Sequence, residues 1–239
     1  MIRRKRRSNL KLNVNQDTGY RSLINVYNCD RQKLAKVGAV QEGLEYALHE
    51  LRPVAKDFFY QFSPQGVTGL SLWREGHFSI HTWPERGMAA IDVVGYPYCA
   101  KNLLRRLQDV FPAYYAPVQS TRAVKKGTPR VGQEVYGSLG AIKQNRQLED
   151  ERALLDLLKT ISHSAHFKVI GEVARSDEEI IDAAVILSES HFSVHYTRKR
   201  REMMVDIFTC GKEGDPQRGY DLLQSEIKAE KSQRVYVRR

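Results

Sequence analysis

The chain has 239 residues, 41% of them hydrophobic, and a formal net charge of +10. The length allows one large domain or two small ones, and no apolar run is long enough to span a membrane. The three cysteines lack CxxC spacing, which argues against a disulfide framework or a zinc cluster. We therefore expect a cytoplasmic protein with no metal and no membrane partner.

The chain begins with a basic tail. Six positive charges precede the first acidic residue, Asp17. Such a cluster can bind RNA, but no aromatic residues alternate with these charges to stack on bases. We predict a disordered tail over residues 1–17 and do not expect a nucleic-acid partner.

Residues 18–115 form the first predicted unit. A β-rich run is followed by a helix, three strands rich in Val, Ile and Phe, and a second helix. These elements are predicted at 23–27, 34–51, 67–72, 78–82, 89–94 and 100–110. Residues 116–133 are rich in Pro, Gly and basic residues, and we predict a linker there.

Residues 134–239 repeat this order of elements and add a short terminal strand. The elements are predicted at 139–143, 149–162, 183–187, 192–196, 203–209, 216–229 and 234–237. Residues 75–81 read Glu-Gly-His-Phe-Ser-Ile-His, and residues 189–195, at an offset of 114, read Glu-Ser-His-Phe-Ser-Val-His.

The repeat predicts an α/β (α+β) fold made of two homologous half-domains. Strands joined by short turns favour antiparallel pairing, and helices must cover one face of each sheet. We expect the two sheets to pack face to face as an αββα sandwich with pseudo-twofold symmetry.

The segment 187–195 resembles the processing site of the prokaryotic S-adenosylmethionine decarboxylases. Residues 206–211, with the sequence Asp-Ile-Phe-Thr-Cys-Gly, stand at the family's spacing after it. Residues 66–69 and 81–85 of the first half are similar to the same family's motifs. The resemblance implies self-cleavage at the Glu189–Ser190 bond, which leaves a pyruvoyl cofactor at position 190. It also implies decarboxylation of S-adenosylmethionine through a Schiff base with its α-amine, for polyamine synthesis.

In this family each active site lies between two units. One unit contributes the cleaved serine, the preceding glutamate and a cysteine that returns a proton to the substrate. The other contributes a hydroxyl and a histidine for processing, plus an aromatic ring and a glutamate for the nucleoside. The resemblance assigns these roles, in that order, to Ser190, Glu189, Cys210, Thr68, His81, Phe62 and Glu85.

Each half lacks what the other half retains. The first half has Gly76 and Tyr96 at the positions of the serine and the cysteine. The second half has Ser176, Asp182 and Lys199 at the positions of the aromatic, hydroxyl and glutamate residues. We therefore predict one complete site and one inactive twin, with His195 in a structural role.

Three alternatives remain open at this stage. The same chemistry could act on arginine or ornithine, although Phe62 and Glu85 favour a nucleoside. The chain could be an inactive regulatory partner of another decarboxylase, although Ser190 and Cys210 argue against it. An RNA-binding function rests on the tail alone. The sequence leaves open whether the fused halves act as a monomer or form a homodimer.

Overall fold

The computed structural model describes residues 20–49, 56–62, 65–74, 76–95, 105–117, 132–188 and 190–238. The predicted tail, most of the predicted linker, Tyr96 and Glu189 lie outside these residues. In the described part of the chain, no helix is long and apolar enough to cross a membrane.

The described residues of the first half form six strands and three α-helices. The strands are β1 (Tyr20–Tyr27), β2 (Lys56–Gln61), β3 (Val67–Trp73), β4 (Gly76–Trp83), β5 (Met88–Gly95) and β6 (Tyr114–Pro117). They form one sheet in the order β2-β3-β4-β5-β1-β6, and every described pairing is antiparallel. The helices are α1 (Arg31–Leu34), α2 (Val37–Ala47) and α3, which is described over 105–110.

The second half repeats this architecture. Its strands are β7 (Gln133–Ile142), β8 (Val169–Ser176), β9 (Ile180–Leu187), β10 (Ser190–Thr197), β11 (Glu202–Thr209) and β12 (Ala229–Arg238). The sheet order is β12-β7-β11-β10-β9-β8, and its helices are α4 (Glu151–Ser164) and α5 (Pro216–Glu226). Strands β10 and β11 begin and end 114 residues after β4 and β5, so the sequence repeat is also a structural repeat.

Helices cover the outer face of each sheet. The α4 helix begins at Asp150, whose side chain accepts a hydrogen bond from the Ala153 N–H and caps the helix. Leu154, Leu158 and Ile161 recur at helical spacing and are buried in the core of the second half. Every residue of β9 is buried, so the face of the sheet that points away from the helices must also contact another layer.

That other layer is the sheet of the other half. Leu70 and Leu72 of β3 share a buried cluster with Ala184 and Ile186 of β9. The two sheets therefore pack face to face with their helices outside, which confirms the predicted fold class.

Strand alternation places polar side chains in the centre of the sandwich. In β10, Phe192 and Val194 are in the helix-side core, so His191 and His195 point to the opposite face. In β4, Phe78 and Ile80 are likewise in the helix-side core of the first half. A layer of histidines is therefore buried between the sheets.

Candidate active site

The predicted cleavage site lies in a two-residue hairpin turn. Leu187 at the end of β9 pairs with Ser190 at the start of β10, and Glu189 between them lies outside the described residues. Ser190 is fully buried, and its Oγ atom has no hydrogen-bond partner among the described residues. A buried hydroxyl without a partner is costly to the fold, so it marks a candidate reactive group.

Thr68 and His81 reach across the interface to the residue after Ser190. They pair in register on β3 and β4, with Thr68 Oγ1 lying 3.0 Å from His81 Nδ1. His81 Nε2 lies 3.1 Å from Nδ1 of His191, and the two rings stack with an interplanar angle of 6°. The structure gives no hydrogen bond between Ser190 Oγ and either Thr68 or His81. Of these two side chains, His81 therefore contacts β10, at His191.

Cys210 lies at the boundary between the halves. It follows Thr209, the residue that pairs with Ser190 across the sheet. Its half-buried side chain packs in a cluster that contains Met88 and Trp83 of the first half. Phe208 of the same cluster lies 5.0 Å from the His81 ring centroid. The thiol is thus partly accessible, and its cluster reaches His81 through Phe208.

Phe62 and Glu85 lie near one another at one end of the first sheet. Gly66 has a φ of +113°, and a Cβ atom added there would lie 3.8 Å from Pro84 and 3.9 Å from Phe62. Glu85 is the middle residue of the 3₁₀ turn Pro84–Arg86 and is exposed, whereas Phe62 is half-buried. Both side chains are accessible to a ligand at the end of β4, beside Trp83.

The pseudo-twofold axis relates this site to a twin with different chemistry. There, Asp182 takes the place of Thr68, and its Oδ1 lies 2.9 Å from Nδ1 of His195. His195 Nε2 lies 2.9 Å from Nδ1 of His77, and Arg175 donates a hydrogen bond of 2.9 Å to Asp182.

The twin also has no room for a serine at position 76. A Cβ atom added to Gly76 would lie 2.3 Å from the indole Nε1 of Trp73 and 2.4 Å from the carbonyl oxygen of Val94. Trp73 is buried and fills the space that lies beside the turn. Its equivalent on the other side is the smaller Leu187.

Burial controls the charge of two further side chains. It lowers the pKa of His77 to about 3, even though the Asp206 carboxyl 3.3 Å away acts in the opposite direction. His77 is therefore a neutral imidazole at pH 7. Burial raises the pKa of Cys29 to about 11, so this thiol stays protonated and is a poor nucleophile.

Two groups within the histidine layer are spaced closely enough to hold a metal ion. They are His77, His191 and Asp206, and His81, Asp92 and His191. Most of their nitrogen atoms already lie at hydrogen-bond distance from other groups. We therefore interpret the histidine layer as a hydrogen-bonded network.

Sequence reasoning did not assign a role to His77, His191, Phe208 or Trp73. The signal for the histidines was present, because His77 and His81, like His191 and His195, are four residues apart in a strand and share a face. Phe208 and Trp73 carried no such signal.

Comparison with known proteins identifies the family. A sequence profile of the family described as S-adenosylmethionine decarboxylase matches residues 20–122 and 133–239. The S-adenosylmethionine decarboxylase proenzyme of Pyrococcus furiosus is 34% identical over 107 residues, which are 44% of this chain and 77% of that protein. The S-adenosylmethionine decarboxylase proenzyme of Aquifex aeolicus is 42% identical over 77 residues, which are 31% of this chain and 56% of that protein.

A solved structure, that of the adenosylmethionine decarboxylase of Aquifex aeolicus, aligns with this chain at 27% sequence identity and a TM-score of 0.36. The alignment covers 46% of this chain and 95% of that chain. The family profile matches each half once, so the family unit occurs twice in one polypeptide. The chain belongs to the S-adenosylmethionine decarboxylase family.

Proposed function

We propose that this protein is a self-processing, pyruvoyl-dependent S-adenosylmethionine decarboxylase with one working site between its halves. The observation that carries the proposal is the buried Ser190 hydroxyl, which has no hydrogen-bond partner among the described residues and belongs to the residue before His191, the residue that His81 contacts. The twin position holds Gly76, where no serine fits. This arrangement supports one cleavage per chain.

The processing residues would act on the main chain at positions 189 and 190. Ser190 Oγ attacks the carbonyl carbon of Glu189, and the acyl group moves from nitrogen to oxygen. Thr68 stabilises the oxyanion, and His81 accepts the proton that residue 190 loses from its α-carbon. Elimination breaks the Cβ–O bond and releases the Glu189 carboxylate. Water then displaces the nitrogen of residue 190, which leaves as ammonia. A pyruvoyl group remains at position 190.

The pyruvoyl carbonyl supplies an electrophile that condenses with the substrate α-amine and accepts the electrons released as carbon dioxide leaves. The buried Ser190 side chain fits this origin for the group, because no described contact holds its oxygen in place. Cys210 returns a proton to the α-carbon. The exposed Glu85 accepts hydrogen bonds from the ribose hydroxyls, and Phe62 stacks on the adenine.

The fused halves make a monomer sufficient for activity. The contact between His81 and His191 supports this, because it joins the two sides of the proposed site within one polypeptide. We place the enzyme in the cytoplasm as a source of the aminopropyl donor for polyamines. Light scattering on the purified protein tests the oligomeric state. A homodimer would mean that two copies of the chain, each with one such site, associate.

The test is Ser190→Ala, compared with Ser188→Ala as a control in the same turn. Mass spectrometry under denaturing conditions should show fragments 1–189 and 190–239 for the wild type and the control, and a single intact chain for Ser190→Ala. A carbon dioxide release assay with S-adenosylmethionine, arginine and ornithine in parallel then identifies the substrate. An intact wild-type chain that releases nothing would contradict the proposal and favour the regulatory partner.

A further inference from the structure

An exposed tyrosine lies beside Phe62, the residue proposed to stack on the adenine. Among the described residues, Tyr46, Tyr60 and Val235 are the exposed large hydrophobic side chains, and Tyr60 on β2 is 39% exposed. The ring centroids of Tyr60 and Phe62 are 5.1 Å apart, and the interplanar angle is 79°. At this distance and angle, one ring presents its edge to the face of the other. The exposed ring therefore contacts a residue of the proposed substrate pocket.

The strand register places Tyr60 on the same face of the sheet as the proposed processing residues. Tyr60 pairs with Thr68, and Thr68 pairs with His81. Residues that pair across neighbouring strands point to the same face, so these three side chains form one row. Phe58, two residues before Tyr60, shares this face and packs against a buried cluster that contains Ile186 of the second half. The row is therefore turned toward the other half of the molecule.

Hydrogen bonds fix the main chain at Phe62 but not the orientation of its ring. The Phe62 N–H donates to the carbonyl oxygen of Gly66 across 2.8 Å, and Gln61 Nε2 donates to the same oxygen across 3.0 Å. The direction of the ring depends on the side-chain torsions, which these bonds do not restrict. The edge contact with Tyr60 therefore limits the orientations that are open to the Phe62 ring.

The twin lacks the aromatic pair. At the offset of 114 residues, Ala174 and Ser176 take the places of Tyr60 and Phe62. Strand β8 forms in the second half without these two rings, so the pair is not required to build this edge of a sheet. Both rings occur on the side that retains the proposed substrate-binding residues. This distribution favours a role in binding.

We propose that Tyr60 is a positioning residue for substrate binding, whose ring holds the Phe62 ring in the orientation that stacks on the adenine of S-adenosylmethionine. This role rests on the proposed function. A ring that is already held loses less rotational freedom when a base stacks on it, so the affinity for the nucleoside increases. The role concerns binding alone. Loss of Tyr60 should therefore raise KM and leave kcat and self-cleavage unchanged.

Equilibrium binding of a nucleoside tests this role. The probe is 5′-deoxy-5′-methylthioadenosine, which carries adenine and ribose but no α-amine or carboxylate, and calorimetry with the full chain measures its Kd. Tyr60→Ala should weaken binding by about three- to tenfold. Tyr60→Phe keeps the ring and should bind like the wild type. Tyr46→Ala is the matched control and should also bind like the wild type, because Tyr46 is exposed but lies on α2.

Enzyme kinetics separate positioning from a defect in folding. In Tyr60→Ala, the KM for S-adenosylmethionine in the carbon dioxide release assay should rise by the same factor as Kd. The kcat value and the rate at which fragment 190–239 appears should equal those of the wild type. Tyr60→Phe should restore KM. A fall in kcat together with slower self-cleavage in Tyr60→Ala would overturn the proposal, because it would indicate a general structural role.

Two binding results would also overturn the proposal. One is wild-type affinity in Tyr60→Ala. The other is a loss in Tyr60→Phe as large as that in Tyr60→Ala, since the hydroxyl would then contact the ligand directly. If the wild type stays uncleaved and releases no carbon dioxide, but binds the nucleoside with a Kd that depends on Tyr60, the proposed function alone fails. Binding is measured without the reaction, so the two failures are distinguishable.

Discussion

The working site and its twin share one backbone arrangement and differ in what their histidines can do. In the working site, His81 contacts the Thr68 hydroxyl, which can either donate or accept a hydrogen bond. In the twin, His195 contacts the Asp182 carboxylate, which only accepts. The hydroxyl permits both tautomers of His81, whereas the carboxylate fixes a proton on Nδ1 of His195. One side chain therefore distinguishes the proposed proton acceptor from the histidine for which a structural role is predicted.

The hairpin turns of the two sites also differ. The twin turn has Gly76 and is packed tightly by Trp73, whereas the working turn has Ser190 and the smaller Leu187. Once two units are joined in one polypeptide, one copy suffices for the chemistry. The other copy can then exchange reactive groups for packing.

The largest expected effect separates His81 from His195. His81→Ala should slow self-cleavage by about 10²- to 10⁴-fold, because it removes the proposed proton acceptor. His195→Ala should slow it by less than about tenfold, because its partners are structural. Timed gel analysis of fragment 190–239 measures both rates. Equal effects would contradict the assignment of the working site to the first-half histidine.

Gly76→Ser tests whether packing prevents a second cleavage. No cut between residues 75 and 76 is expected, and the free energy of unfolding should fall by about 1–3 kcal/mol through overpacking against Trp73 and the Val94 carbonyl. Gly38→Ser is the matched control, because an added Cβ atom there meets nothing within 4 Å. Urea denaturation and mass spectrometry measure the two outcomes. A fragment that begins at residue 76 would show that the twin turn is still competent.

Acid should destabilise the histidine layer. The folded-state pKa of His77 is about 3 and its ordinary value is 6.5, so the unfolded chain binds the extra proton in this window. The contribution of His77 to stability is therefore present above pH 6.5 and falls by about 1.4 kcal/mol for each unit below it. Urea denaturation of the wild type and His77→Gln between pH 7 and pH 5 should show this slope as the difference between the two proteins. His77→Gln should flatten it and the exposed control His163→Gln should not; an unchanged slope in His77→Gln would contradict the prediction.

The smallest effect is expected at an ion pair between the halves. Arg74 pairs with Asp177 at 3.5 Å and with Glu179, and all three side chains are partly exposed. Arg74→Ala should lower the free energy of unfolding by no more than about 1 kcal/mol, and less at high salt. Arg200→Ala, which removes a pair within one half, is the control. A loss far above that of the control would mean that this contact holds the halves together.

The repeat, the antiparallel pairing and the sandwich could be predicted from the sequence, because β4 and β10 alternate clearly and have the same His, Phe, Ser and His residues at equivalent positions. Strands β2, β6 and β8 were missed. All three are edge strands, and β2 and β8 have exposed residues and lack that alternation. The terminal strand was predicted over 234–237 but extends over Ala229–Arg238, since its exposed polar residues carry little strand signal.

The site residues came from the resemblance, and their roles stay predictions. Spacing could place His81 on a strand and Ser190 and Cys210 beside strands, but it could not predict the contact between His81 and His191. That contact depends on how two sheets distant in sequence are aligned. The position of the Trp73 indole over Gly76 depends on a side-chain conformation, which sequence spacing does not specify.

The strand order of the second sheet has a consequence for the mature protein. Strand β7 lies between β11 and β12, and β10 pairs with β9. A cut at 189/190 makes β10, β11 and β12 one polypeptide and leaves β7, β8 and β9 on the other. The two products interdigitate, so they separate only when the whole sheet opens. Refolding after denaturation then becomes a bimolecular, concentration-dependent reaction, whereas the precursor refolds as one molecule. The persistence of the mature enzyme therefore depends on how slowly it unfolds.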